Sequence, residues 1–210
     1  MIIIFDYDGT IADTLGALIQ YASKNFSNII KTQSINEDVS NIRNRTIKEN
    51  LAFYNISPLK FAYLYFFNKS KIEKYMESAS VFEEIPEVLK SLHASGHKLF
   101  VLTSHSGNKV KEFIKKNNIN YFDNVYSTYQ LFGKPKLISK LLADQNISKD
   151  GCIYVGDEVR DIQACRKSGI KIISVTWGFN SKEFLVKHNP DFVAETPKAI
   201  LEIVANLNAN

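Results

Sequence analysis

The chain has 210 residues, 45% of them hydrophobic and 23% charged, with a formal net charge of +4. That is the make-up of an ordinary globular protein, long enough for one well-buried domain with a smaller insert and short for two full domains. No apolar run approaches the length that spans a bilayer, and the lysines are scattered or gathered on one helix face (Lys109, Lys111, Lys115, Lys116), so neither a membrane protein nor a nucleic-acid binder is expected.

Met1–Phe5 is an apolar, β-favouring run that reads as a strand covered on both faces. Asp6-Tyr7-Asp8-Gly9-Thr10 follows at once. The two acids interrupt the apolar start too early for a secretory leader, and the cytoplasm is the expected compartment. Residues 14–81 carry no strand pattern. Leu15, Leu18, Ile19 and Ala22, then Ile47, Leu51 and Tyr54, then Phe61, Leu64, Tyr65 and Phe67 recur at helical spacing, with a break at Asn55-Ile56-Ser57-Pro58. The aromatic density of this stretch is expected to form the core of a small all-α insert. From there the chain alternates: helical patterns over 84–95, 107–118, 134–145, 158–168 and 196–207, and short apolar runs at Lys98–Leu102, Val125–Ser127, Cys152–Val155, Lys171–Val175 and Asp191–Val193. Gly96 and Gly169 stand where helix C-caps belong. Cys152 and Cys165 fall in a strand and a helix and read as reduced core thiols. The fold class is therefore α/β: a Rossmann-like parallel sheet with helices on both faces, formed by residues 1–13 and 82–210, plus a small all-α cap of residues 14–81 inserted after the first strand.

Asp is disfavoured in strands, and a buried charge needs a partner. At the carboxyl end of the first strand, Asp6 and Asp8 leave the core for the crevice where open α/β sheets do their chemistry. Alternation sends both side chains the same way, with Tyr7 opposite. Two such carboxylates suit a hard cation and an acid/nucleophile pair. Three more polar clusters end predicted strands or open predicted helices: Thr103-Ser104, Gly133-Lys134-Pro135-Lys136, and Gly156-Asp157-Glu158-Val159-Arg160-Asp161. Alone, Thr103-Ser104 also fits a helix cap, and Lys134 also fits a solvated loop with Lys136 as a rival.

In order and spacing these four clusters resemble the motifs of the haloacid dehalogenase superfamily of phosphotransferases, over nearly the whole chain. The stretch from Val155 through Gly169, with Val175-Thr176-Trp177-Gly178-Phe179, is similar to its phosphoglycolate phosphatase-like branch, which carries a helical cap. The resemblance implies a Mg²⁺-dependent phosphatase acting on a small phosphorylated metabolite. Asp6 would attack phosphorus, forming an aspartyl-phosphate. Asp8 would be the general acid/base, for which its pKa must be raised. Thr103, with the Ser104 and His105 amides, would hold the phosphoryl group, and Lys134 would offset its charge. Asp6, Asp157, Asp161 and the Asp8 main-chain carbonyl would serve the metal, with Asp161 alternatively pairing with Lys134. In the insert, Arg43 or Arg45 is the candidate clamp for a substrate carboxylate, against the plainer alternative of two arginines on a solvated turn.

Other readings of the same scaffold are a sugar-phosphate mutase of the β-phosphoglucomutase kind, a pyrophosphatase or nucleotidase, and a ligand-binding or regulatory protein on a retired enzyme. A monomer or homodimer is expected. His105 also reads as a plain polar loop residue, Arg160 and Arg166 as helix-surface residues, and Glu158 as a salt-bridge partner or a group near the metal. Asn180-Ser181 is assigned no role.

Overall fold

The computed structural model describes residues 1–17, 21, 35–76, 78–128 and 133–208. Six parallel strands form one sheet: β1 (Ile2–Phe5), β2 (Lys98–Thr103), β3 (Asn124–Ser127), β4 (Cys152–Gly156), β5 (Lys171–Val175) and β6 (Phe192–Ala194), in the order β3-β2-β1-β4-β5-β6. β1 therefore lies inside the sheet, with Ile3 opposite Leu99 on one side and Ile153 on the other.

Strand alternation sorts the core into two layers. Ile3, Phe5, Leu99, Val101, Ile153, Val155, Ile173 and Val175 face one side. There they meet helices α4 (Ile85–Ala94), α5 (Gly107–Lys116) and α9 (Ala199–Asn208) through Val88, Leu89, Phe113 and Ile200. Ile2, Ile4, Phe100, Leu102, Tyr154 and Ile172 face the other, against α6 (Lys134–Gln145) and α7 (Val159–Ser168) through Ile138, Leu141 and Ile162. Leu185 on α8 (Lys182–Val186), a short helix that no apolar periodicity announces, joins that layer. Cys152 and Cys165 are free and buried, and burial pushes the Cys152 thiol up to about 12, so both are inert.

Between β1 and α4 the described residues include the helices α1 (Ile35–Arg43), α2 (Ile47–Phe53) and α3 (Pro58–Met76). The chain leaves and re-enters through paired segments, with Asp13 N–H donating to Ser80 O (2.9 Å) and Phe82 N–H to Ile11 O (3.1 Å). A capping box of Thr46 and Glu49 starts α2, and Asn55 takes a positive φ in the break before Pro58. The expected aromatic core of this insert is corrected in part. Leu59, Tyr63 and Phe67, one helical stripe at spacing four, are 85%, 60% and 65% exposed. Periodicity marks a stripe but does not say which way it turns. Leu18, Ile19 and Ala22 lie outside the described residues, as do the side chains of Leu64 and Tyr65. No helix of the described residues is long and apolar enough to cross a membrane.

Candidate active site

The strand order turns back at β1 and β4, and this is where an open α/β sheet leaves a crevice at its carboxyl edge. Phe5 pairs with Val155, so the residues just past each strand, Asp6 and Asp157, emerge side by side. Asp161 arrives from the first turn of α7 and Lys134 from the start of α6. Carboxylate oxygens of Asp6, Asp157 and Asp161 lie within 4.8 Å of one another, and all three residues are buried. Lys134, also buried, places Nζ 2.6 Å from Asp6 Oδ2 and bonds Asp161 Oδ1 as well. Lys136 is exposed, so of the two lysines it is Lys134 that lies against the acids.

Each acid is held. Asp6 Oδ1 accepts from Tyr7 N–H (2.8 Å). Asp157 Oδ1 accepts from the Thr10 hydroxyl (2.8 Å) and its Oδ2 from Phe179 N–H (2.7 Å). Asp161 Oδ2 accepts from Glu158 N–H (3.1 Å), which caps α7. The backbone crowds in as well: a Cβ on Gly9, whose φ is +69°, would fall 2.1 Å from Asp157 Oδ2.

So many buried acids repel one another. Burial pushes the Asp6 carboxyl up to about 7, with Lys134 opposing and Asp161 adding to the rise. Burial, Glu158, Asp6 and Asp161 together hold Asp157 well above the ordinary carboxylate range. Burial alone would lower Lys134, but Asp161 and Asp6 hold it above its usual value, so it stays charged. Fully ionised, three carboxylates beside one lysine would carry excess negative charge, which the raised Asp6 and Asp157 relieve by holding protons. An all-oxygen donor set with that charge fits a hard divalent cation.

Asp8 stands apart from the triad. Its Oδ2 lies 3.1 Å from His105 Nε2, while its Oδ1 is buried with no hydrogen-bond partner among the described residues. Burial would raise its pKa, but the charge and hydrogen bond of His105 outweigh that and hold it below the usual value. This is opposite to the raised value expected from sequence, because His105 is a polar partner that strand spacing does not reveal. The buried Thr103 hydroxyl accepts from His105 N–H (2.9 Å). That leaves the hydroxyl hydrogen to donate, and it ties up the His105 amide within the turn. The histidine thus faces the site through its ring, not its amide, with half-buried Ser104 between.

Arg43 lies at the seam between insert and sheet, with Nη2 on Thr176 O (2.9 Å) and Nε buried without a partner among the described residues. The Arg45 guanidinium stacks over Phe53 at 3.8 Å. Arg160, expected on the helix surface, instead pairs with buried Glu158 (2.5 Å), because that acid needs a counter-charge. Arg166 does face solvent, donating to His188 O (3.1 Å). Thr10, the Phe179 amide and Asn180 are the contributors that sequence motifs missed.

A family model described as "Haloacid dehalogenase-like hydrolase" matches residues 3–175. The chain is 27% identical over 206 residues to a phosphoglycolate phosphatase of Synechococcus elongatus, covering 98% of this chain and 97% of that protein. It is 21% identical over 210 residues to a pyrophosphatase PpaX of Bacillus mycoides, covering 98% and 97%. Among solved structures, a haloacid dehalogenase-like family hydrolase of Streptococcus pneumoniae superposes with a TM-score of 0.79 at 23% identity, over 96% of this chain and 97% of that one.

Proposed function

The chain belongs to the haloacid dehalogenase-like hydrolases, and on that footing we propose that it is a Mg²⁺-dependent phosphatase of a small phosphomonoester, phosphoglycolate or one of similar size. The observation that carries this reading is the convergence of buried Asp6, Asp157 and Asp161 on the ammonium of Lys134 at adjacent strand ends. Asp6, Asp157, Asp161 and the Asp8 main-chain carbonyl are the groups that would hold Mg²⁺. Once bound, the ion offsets the negative charge of the phosphoryl oxygens as the carboxylate approaches.

Asp6 attacks phosphorus. Its Oδ–P bond forms as the bond from phosphorus to the leaving oxygen breaks. Lys134 holds Asp6 in place and steadies the phosphoryl charge. The Thr103 hydroxyl donates to a phosphoryl oxygen, and Ser104 lies beside it. The Asp8–His105 pair holds the proton that goes to the leaving oxygen. In the second half, Asp8 takes a proton from water as the water oxygen attacks phosphorus and Asp6 departs. Residues 14–81 act as a cap that shields the site from solvent water. Arg43, at the edge of that cap, contributes to binding a substrate carboxylate.

A pyrophosphate substrate is the second reading, favoured by the similarity to the Bacillus mycoides pyrophosphatase. Both are tested by phosphate release from the purified protein, with Mg²⁺ and with chelator, over phosphoglycolate, sugar phosphates, nucleotides, pyrophosphate and p-nitrophenyl phosphate. Mg²⁺-dependent turnover favouring phosphoglycolate, with Arg43→Ala raising its KM more than that of p-nitrophenyl phosphate, is the expected result. Turnover favouring pyrophosphate selects the second reading, and no turnover on any member overturns both.

A further inference from the structure

Asn180 is absorbed by no motif, yet it is a buried polar side chain, 6% exposed, that uses both ends of its amide. Its Oδ1 accepts from Val159 N–H (2.9 Å) at the start of α7, two residues past Asp157. Its Nδ2 donates to Arg43 O (3.1 Å) and Arg45 O (3.2 Å), in the turn that closes α1. Its own N–H donates to Asp157 O (3.2 Å).

The neighbours repeat the pattern. Phe179 N–H reaches Asp157 Oδ2 (2.7 Å), Ser181 N–H reaches Arg43 O (3.0 Å), and the Ser181 hydroxyl meets Asn44 Oδ1 (2.5 Å). Behind them, a Cβ on Gly178 would fall 2.3 Å from Asp157 Oδ2 and from Gly9 O. The 176–181 loop is thus wedged between the insert and Asp157. The contact it makes calls for an amide: one acceptor for a main-chain N–H and two donors for two carbonyls. Aspartate lacks the donors.

We propose that Asn180 is a positioning residue that ties the seating of the 43–46 turn to the placement of Asp157, so that a docked insert and an assembled acid cluster are one state. The proposal rests on reading Asp157 as a metal ligand. By linkage, whatever binds the assembled cluster also favours the docked turn, and loosening the turn weakens that binding.

The turn carries its own probe, since trypsin cuts after Arg43 and Arg45. Asn180→Asp preserves size and the acceptor toward α7 but removes both donors and sets an anion against two carbonyls. It is expected to speed cutting after Arg43 and Arg45 by about tenfold or more, the scale of two lost hydrogen bonds. Cutting after Lys111 on α5 stays at the wild-type rate. Mg²⁺ alone slows cutting of the turn in the wild type and no longer does so in the variant.

The second variant is Asn44→Ala, on the insert side and in contact with none of the acids. It is expected to weaken Mg²⁺ binding, measured by calorimetry, by about threefold. A purely local structural role would leave that affinity unchanged. Wild-type cutting of the turn in Asn180→Asp, equal acceleration at Lys111, or unchanged Mg²⁺ affinity in Asn44→Ala overturns the proposal. The two readings fail separately. A wild-type chain with no phosphatase activity but with Asn180-dependent protection loses the function and keeps the coupling. Full activity with no change in cutting does the reverse.

Discussion

Asp6 is buried and has Lys134 at 2.6 Å, and the proposed mechanism requires it to be an anion. Its neighbours Asp161 and Asp8 oppose that charge. Replacing it with an amide of the same shape removes repulsion and leaves Lys134 its bond to Asp161. Asp6→Asn is expected to cut turnover by at least about a thousandfold, because an amide does not attack phosphorus. Its melting temperature in chelator is expected to stay at or above that of the wild type. A large fall in melting temperature would instead make Asp6 a structural acid. Gly178 gives the complementary case. Gly178→Ala drives a methyl into Gly9 O, a main-chain atom, and into Asp157 Oδ2, which Phe179 N–H holds in place. Mg²⁺ affinity measured by calorimetry is expected to drop about 10- to 100-fold, as for the loss of a supporting contact behind a ligand. Asp6, Asp8 and Asp157 were legible because acids at the ends of apolar strands are costly to bury without a task, whereas Lys134, which alone also fits a solvated loop, was named only through the order and spacing of the four clusters. Asn180 was not, because its partners are main-chain atoms, and any sequence supplies those. His105 was half legible: its position beside Thr103 was plain, its ring contact with Asp8 was not.

The strands and the helices flanking them follow from short apolar runs and capped amphipathic segments, so their bounds lie close to the sequence pattern. α8, only five residues long, is too short to show a period. The insert is where pattern reading went partly wrong, since one apolar stripe there faces outward. This contrast is measurable. Phe100 on β2 is fully buried and meets Tyr126 edge-on at 6.0 Å. Phe100→Ala is expected to cost about 3–5 kcal/mol in denaturant unfolding. Leu59→Ser on α3, at 85% exposure, is expected to stay within about 0.5 kcal/mol. A cost above about 2 kcal/mol for Leu59→Ser would mean that the stripe is covered in solution.

Across the whole molecule, the raised acids make stability depend on pH. In the folded state Asp6 holds its proton up to about 7, and Asp157 well above its ordinary value, whereas the unfolded chain has released both by about pH 5. Folding therefore binds protons in that window, and stability falls as pH rises through it. The depressed Asp8 acts only at lower pH, adding stability above the ordinary carboxylate range and losing it on acidification. In chelator, the melting temperature is expected to decline from pH 5 to pH 8, and Mg²⁺ to raise it more at pH 8 than at pH 5. A melting temperature that climbs over that range in chelator contradicts the charge balance described above.

β1 brings a different consequence, one of birth order. It is translated before both of its partners, residues 98–103 and 152–156. Until the second of those partners has been translated, an entirely apolar strand waits with at least one edge bare, open to a neighbouring nascent chain. The strand that leads into Asp6 is thus also one that depends long on being sheltered while its partners are made.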